Sequence, residues 1–478
     1  MQQYSAIVMR SSPALRIIFE PSGRPFRANW SRTRLAKPLY RRFKVSGIIS
    51  LRAQYRREVS MFLEKSPRHL KMLHSAHLKQ PVCTMTAACI LLTFYCVHVP
   101  AETPLVVKDP NASFLDVAAR RQALQTAQNP LLHEAIANLK GCVGTPFPAP
   151  PPHGQDIPSR YMSGSHGALN PLEHQLSEPY YKIQDIAAQG ADKYLATGDP
   201  AEANCVIQAI LQWVNDKAAL LDYSAKDDEV VWFQSTWTVA SLSLSVSIIR
   251  SEPALNAADR DRVIAWLRDA AHKSFSETRG PTSGTNTNNH FFWRGLAATA
   301  AGVISGDNKL FSDGLRTYST AIGEIHSQGA FPDEMARHEL AMHYQAFAIE
   351  PLVMIAELAY RQGLNIYPLE QHGHRLSDAV NFLNRAIADP SIIKKYTPEA
   401  QKLDPDFQPG SALLSWAELW TARTGDTAWQ RYIDKPFFDS RLAGSTTLFA
   451  APVQAAPAAP PAGTKPPPAE TTPPPSSK

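Results

Sequence analysis

From residue 179 onward, apolar residues recur at the three-to-four spacing of helices that bury one face. Tyr180, Ile183, Ile186 and Ala187 form one stripe, and Val206, Ile210, Trp213, Val214 and Leu220 form another. The same spacing predicts helices over about 230–250, 256–277, 289–305, 308–327, 333–362, 374–388 and 410–424. Breakers separate them: Gly198-Asp199-Pro200, Ser251-Glu252-Pro253, Gly280-Pro281, Gly306-Asp307, Gly329 and Gly363. Upstream, Phe114, Val117, Ala118 and Leu124 predict one or two helices within 113–140. A Pro-rich connector, Gly141–Gly154, follows. Residues 158–178 then read as a long loop, of the kind that serves as a lid or binding loop. The two-residue alternation of strands is nearly absent. No fixed-period repeat forces a solenoid. The expectation is an all-α fold, an incomplete (α/α) barrel or toroid of antiparallel helical hairpins.

A different pattern precedes this. Residues 84–99 are a continuous apolar run flanked on the N-terminal side by Lys71 and Lys79, and Val99-Pro100-Ala101 supplies small residues beyond it. The run has the length of a secretory h-region and is short for a membrane span, which needs roughly 20 residues. Residues 72–101 are therefore expected to be a signal peptide, or alternatively a single-pass anchor behind a basic cytoplasmic tail. Residues 1–71 have no core pattern, and translation is expected to begin at Met72 or Met61. The remaining divisions are an N-terminal helical segment at 102–140, the main domain at 141–450, and a Pro-rich disordered tail at 451–478.

Charge and cysteine usage sharpen this division. Residues 1–71 hold 16 Lys/Arg against 3 Asp/Glu, whereas residues 102–478 hold 31 against 40. The exported part is acidic, so the chain's formal charge of +5 is no argument for nucleic-acid binding. Cys83, Cys89 and Cys96 lie in or beside the apolar run, leaving Cys142 and Cys205 to the mature protein. In a periplasmic or secreted protein these two can form a bridge that persists. No membrane insertion remains once the signal is cleaved, and a monomer is expected.

Two segments carry candidate chemistry. Asn288-Asn289-His290-Phe291-Phe292-Trp293-Arg294 opens a predicted helix after a Gly/Ser/Thr/Asn-rich loop. Asparagine there is an ordinary helix cap, and His290 alone is unremarkable as a surface side chain. The second segment is Phe331-Pro332-Asp333-Glu334-Met335-Ala336-Arg337, followed by His338, His343 and Tyr344. Seven residues make about two helical turns, so Arg337 and Tyr344 are expected on one face, where the cation favours phenolate. A structural arginine and a core tyrosine are the plainer alternative. His338 and His343 do not fit the His-Glu-x-x-His metal pattern, and neither a metal nor an organic cofactor is expected.

Taken together, the segments resemble the bacterial mannuronate-specific alginate lyases. The resemblance spans about residues 141–449. It includes Asn-Asn-His-x-x-Trp at 288–293, Pro-x-Glu-x-x-Arg at 332–337, the Tyr344 turn and Pro351-Leu352-Val353-Met354-Ile355-Ala356. Ser159-Arg160-Tyr161, Pro436-Phe437 and Arg441-Leu442-Ala443-Gly444 extend it, and Cys142 and Cys205 fall where that family places a cysteine pair.

The resemblance implies a lyase for an anionic polysaccharide. Such enzymes abstract the weakly acidic proton on carbon five of a uronate, so the site must neutralise the carboxylate and stabilise an enolate. By analogy Asn289, His290 and Arg337 do this, while Tyr344 acts as both base and acid. Arg337 and His290 would then lower the phenol from its ordinary pKa of roughly 10. Another assignment makes His290 the base and Tyr344 the acid. Arg160 would grip substrate from a loop over the cleft, and Tyr161, Trp293 and Asn288 would contact sugar.

Gln345 (in place of a histidine), Phe291-Phe292 and the Gly164–Asn170 loop depart from the family pattern, and all are expected near the cleft. An acidic chain acting on a polyanion also requires a locally basic cleft. Two other readings remain open: a lyase for a glucuronate-containing exopolysaccharide, and a non-catalytic polysaccharide-binding protein of an export system.

Overall fold

Most of the long helices open on a capping side chain written into the sequence. In the computed structural model, which describes residues 105–216 and 219–454, α1 (Val117–Gln125) and α2 (Pro130–Ala137) begin at Asp116 and Asn129. Helix α3 (Pro171–Thr197) begins at Asn170, whose side chain accepts from the Leu172 amide. Pro171 at its first position needs no amide partner, and Gly198 closes it in the left-handed conformation. This helix therefore starts inside the stretch 158–178 expected as loop, with Pro179 within it. The cap and the N1 proline outweigh the Gly and Pro content that suggested a longer loop.

Helix α4 (Pro200–Val214) follows at once, capped by Asp199. Then come α5 (Glu229–Ile249), α6 (Ala257–Ser276), α7 (Asn289–Ser305) and α8 (Asn308–Gly323). The single helix expected over 333–362 is broken. It consists of α9 (Pro332–Met335), a 3-10 turn at His338–Leu340, and α10 (Ala341–Arg361). His338 has φ 54° and so leaves the right-handed helical region. Helix α11 (Leu376–Ala388) precedes α12 (Trp416–Thr424), and α13 (Thr446–Ala450) ends the described fold. Among the described residues only isolated bridges occur, as at Tyr161 with Gly164 and with Leu169.

Packing sorts the helices into two layers. Helices α3, α5, α7 and α10 pack each against the next, while α4, α6, α8 and α11 form hairpins outside them. This is the (α/α) toroid. Within the inner layer α5 is buried on all sides: every residue from Gln234 to Ile249 is buried. Two of its hydroxyls return hydrogen bonds to their own helix, Thr236 to the Trp232 carbonyl and Thr238 to the Gln234 carbonyl. Helices α7 and α8 approach closely because Gly295 faces Thr317 and Gly314 faces Thr299, and a Cβ at either glycine would overlap the threonine.

The segment 105–140 belongs to this core rather than standing apart. Helix α1 packs on α3, and Phe114 meets Phe449 edge-on at 5.1 Å. The four described residues of the expected tail, 451–454, are also tied down. Arg120 donates to the Ala451 carbonyl and Asn129 to the Pro452 carbonyl. Cys142 and Cys205 form a disulfide that closes 63 residues and anchors the Pro-rich connector to α4, a constraint of about 4 kcal/mol on the unfolded chain. No helix among the described residues is long and apolar enough to cross a membrane. The expected basic extension and signal peptide lie outside the described residues, as does the tail beyond 454.

Candidate active site

The inner layer surrounds a cleft of about 530 Å³ lined by Arg160, Tyr161, Asn288, His290, Arg337 and Tyr344, among others. Two chain segments converge there. The first is the start of α7. Asn288 caps that helix, its Oδ1 accepting from the His290 amide at 3.0 Å. This fixes His290 in the first turn, where its ring stacks on Phe233 with centroids 3.5 Å apart and planes 14° apart. His290 is half-buried, and its Nδ1 is shielded from solvent with no partner. Burial, then the charges of Arg337, Arg294 and Arg279, hold its pKa well below the ordinary imidazole value. These surroundings favour the neutral ring of His290.

Asn289, one residue earlier, faces away from the cleft. Its amide Nδ2 donates to both Glu334 oxygens at 3.0 and 2.9 Å, and its backbone N–H donates to Oε1 at 2.6 Å. The side chain expected to meet a substrate carboxylate meets a protein carboxylate instead. Burial pushes Glu334 up to about 7 against the pull of Arg337 and of the Asn289 hydrogen bonds. The Arg337 Nε lies 3.8 Å from the Glu334 Oε2. Glu334 thus joins the start of α7 to Arg337.

Arg337 and Tyr344 do meet, with the guanidinium carbon 4.4 Å from the ring centroid. They do not share a helix face as the seven-residue spacing implied. The turn at 338–340 and the positive φ of His338 bring Arg337 back over the ring. Tyr344 is 7% exposed at the cleft wall, and its hydroxyl donates to the Tyr161 hydroxyl at 3.2 Å. Its pKa is raised rather than depressed. Burial is the largest cause and Tyr161 the next, and the opposing charge of Arg337 is smaller. The low dielectric that would strengthen a cation's effect costs the phenolate more than Arg337 returns.

Other expectations sort as follows. Arg160 lines the cleft, 3.8 Å from Glu173 and within 3.4 Å of the Tyr181 hydroxyl. Trp293 is a correction: it is 0% exposed and packs on Phe347 at 5.1 Å, so it is a core side chain and no sugar platform. The aromatic cleft wall is Phe233, Trp237 and Phe347. Gln345 is also away from the cleft, pinning the backbone at Phe331 and Gly329. Phe292 is core, while the Gly164–Ser165 part of the departing loop does line the cleft. Sequence reasoning gave no role to Glu334, although its three-residue spacing from Arg337 was visible. It also gave none to Arg441, or to the pair His343–Asp406, whose Nδ1 and Oδ2 are 2.8 Å apart at the cleft edge. The cleft is not basic by count: Arg160, Arg279, Arg337 and Arg441 face Glu173, Glu229, Glu350, Asp406 and Asp439. Among the described residues no group of three or more His, Cys, Asp or Glu is placed to hold a metal ion.

A helical toroid whose aromatic cleft brings a tyrosine, a histidine and arginines together has the layout of an acid–base enzyme for a sugar polymer. The model of the family described as alginate lyase matches residues 119–393. A polysaccharide lyase of Stenotrophomonas maltophilia is 28% identical over 68% of this chain and 96% of its own length. An alginate lyase of Pseudomonas syringae pv. syringae is 28% identical over 53% of this chain and 67% of its own. Among solved structures, a His→Ala variant of alginate lyase A1-III complexed with tetrasaccharide superposes with a TM-score of 0.69. It is 38% identical, over 73% of this chain and 97% of that one. A Tyr→Phe variant of the same lyase with tetrasaccharide matches equally. This chain belongs to the alginate lyase family and is a polysaccharide lyase.

Proposed function

We propose that this lyase cleaves alginate, with preference for its mannuronate blocks, by β-elimination. The observation that carries the reading is the convergence of Tyr344, His290 and Arg337 on one cleft, with the Arg337 guanidinium 4.4 Å from the Tyr344 ring. The alginate lyases and the tetrasaccharide complexes among its relatives support the substrate class. The proton on carbon five is removed, its electron pair forms the bond to carbon four, and the bond from carbon four to the glycosidic oxygen breaks. That oxygen takes up a proton. In mannuronate both proton transfers lie on one ring face, so Tyr344 can perform both, as base and then as acid. Arg337 and the neutral His290 are the donors for the carboxylate as its charge grows.

A second assignment has its own support. Burial raises the pKa of Tyr344 and lowers that of His290, which favours the forms in which His290 would take the proton and Tyr344 deliver one. Replacing His290 by Ala and adding free imidazole separates the two. Rescue of turnover by imidazole supports the histidine base, and its absence supports Tyr344 in both roles. The disulfide Cys142–Cys205 supports a periplasmic or secreted location, where such bonds persist.

The test is the ultraviolet absorbance of the conjugated 4,5-unsaturated product. Polymannuronate should give the fastest rise, polyguluronate and glucuronan slower ones. No rise with any of the three would overturn the reading, and a faster rise with glucuronan would move the substrate to a glucuronate polymer.

A further inference from the structure

Six residues beyond Tyr344 on α10, Glu350 lines the back of the same cleft. It is 1% exposed, and neither carboxyl oxygen has a hydrogen-bond partner. Buried carboxyls in folded proteins are almost always partnered, because an unmet one forfeits the hydration it had in water. Its neighbour Arg441 also lines the cleft, and the Arg441 Nε is likewise buried and unpartnered. The Arg441 guanidinium lies 5.5 Å from the Trp237 ring centroid and 5.8 Å from that of Phe347. Phe347 in turn meets Tyr344 edge-on at 6.2 Å. Unfilled acceptor and donor capacity therefore sits across the Phe347 ring from Tyr344, in the same cleft.

We propose that Glu350 is a specificity-determining residue that, with Arg441, receives the carboxylate of the uronate next to the one being cleaved, Glu350 donating as a carboxylic acid. This rests on the lyase reading above and names a contact that reading does not use. The surroundings keep Glu350 protonated. Burial comes first, then Asp439, opposed by Arg441 and reinforced by Asp406, and together they hold its pKa well above the ordinary carboxylate range. Asp439 faces it from the 439–444 turn and is itself raised by burial. Asp185 on α3 lies behind Asp439, and His343 shares α10 and pairs with Asp406. A carboxylic acid and a carboxylate can share one proton, whereas two carboxylates repel. Substrate affinity is thus present while Glu350 is protonated and falls as rising pH ionises it. The neutral acid also removes one negative charge from a cleft that must admit a polyanion.

The experiment measures binding of a mannuronate tetrasaccharide by calorimetry, across a pH series, to Y344F, Y344F/E350Q and Y344F/E350A. Affinity of Y344F should fall by about tenfold or more as pH rises through the ionisation of Glu350, which lies above the ordinary carboxylate range. With E350Q added the affinity should become independent of pH over that range, because the amide donates without titrating. With E350A added it should be about tenfold weaker than Y344F where Glu350 is protonated, from the loss of one charged hydrogen bond, and should not change further with pH. The proposal is overturned if Y344F/E350Q follows the pH curve of Y344F, or if Y344F/E350A binds as tightly as Y344F where Glu350 is protonated. Should the alanine variant fail to fold, the glutamine comparison decides alone. Persistent cleavage by Y344F would sink the catalytic assignment only, and the same comparison would then be read from KM in turnover.

Discussion

The start of α7 and the stretch from Pro332 to Tyr344 deliver side chains to one point by opposite means. At Asn288–His290 a regular helix begins with an ordinary cap, and its first turn aims His290 into the cleft while Asn289 turns inward. Between Pro332 and Tyr344 the helix is interrupted twice, and the interruption is what lays Arg337 over the tyrosine ring. The two are joined by Glu334, which accepts from Asn289 and lies beside Arg337. A regular element fixes a direction, while a broken one lets two residues of the same segment face each other. The site needs both, and it needs a buried carboxyl to keep them in register.

Arg337→Ala should lower kcat/KM on polymannuronate by about 10²–10³, the range for losing a preorganised donor at a developing anion. Arg337→Lys should recover only part, since a point charge cannot cover the ring as the planar group does. A drop below about threefold for the alanine variant would make the broken segment structural only. Glu334→Gln should cost about 10–100-fold in kcat through misplacement of Asn289 and Arg337. The same variant reports on stability. Folded Glu334 binds its proton more tightly than the unfolded chain does between the ordinary carboxylate range and about pH 7. Wild-type stability should therefore fall as pH rises through that window, by about 3 kcal/mol from this group, and level off above it. Urea melts of Glu334→Gln should lack that part of the fall, and equal slopes in both proteins would contradict the burial argument.

On the regular arm, Asn288→Ala should cost about 1 kcal/mol of stability by removing a helix cap, read as a shift in the urea midpoint. It should also lower kcat, because His290 loses its fixed first turn. His338→Gly should change stability by less than about 1 kcal/mol. Glycine tolerates the positive φ, while the stack on His166 at 4.2 Å is lost. A loss of several kcal/mol would mean that the side chain, not the backbone break, holds the turn.

The periodic stripes made the toroid legible because inner and outer helices must each bury a continuous face, and the expected helix positions at 289–305 and 374–388 match α7 and α11 closely. The start of α3 was missed because Gly and Pro in 158–178 resemble loop text, although Asn170-Pro171 is a cap followed by an N1 proline. The pairing of Arg337 with Tyr344 was legible, but not its geometry. A single histidine at positive φ leaves no periodic trace. Trp293 was misread because an aromatic that lines a cleft beside a histidine and one facing the core are the same letter. Only its packing on Phe347 separates them. The raised pKa of Tyr344 was equally out of reach, since burial depends on the assembled cleft.

The proposed elimination depends on Tyr344 more than on any other side chain of the cleft. The rate of unsaturated-product formation from polymannuronate should fall by about 10³-fold or more in Tyr344→Phe, with circular dichroism and tetrasaccharide affinity close to wild type. Turnover within about tenfold of wild type in a folded Tyr344→Phe protein would contradict it.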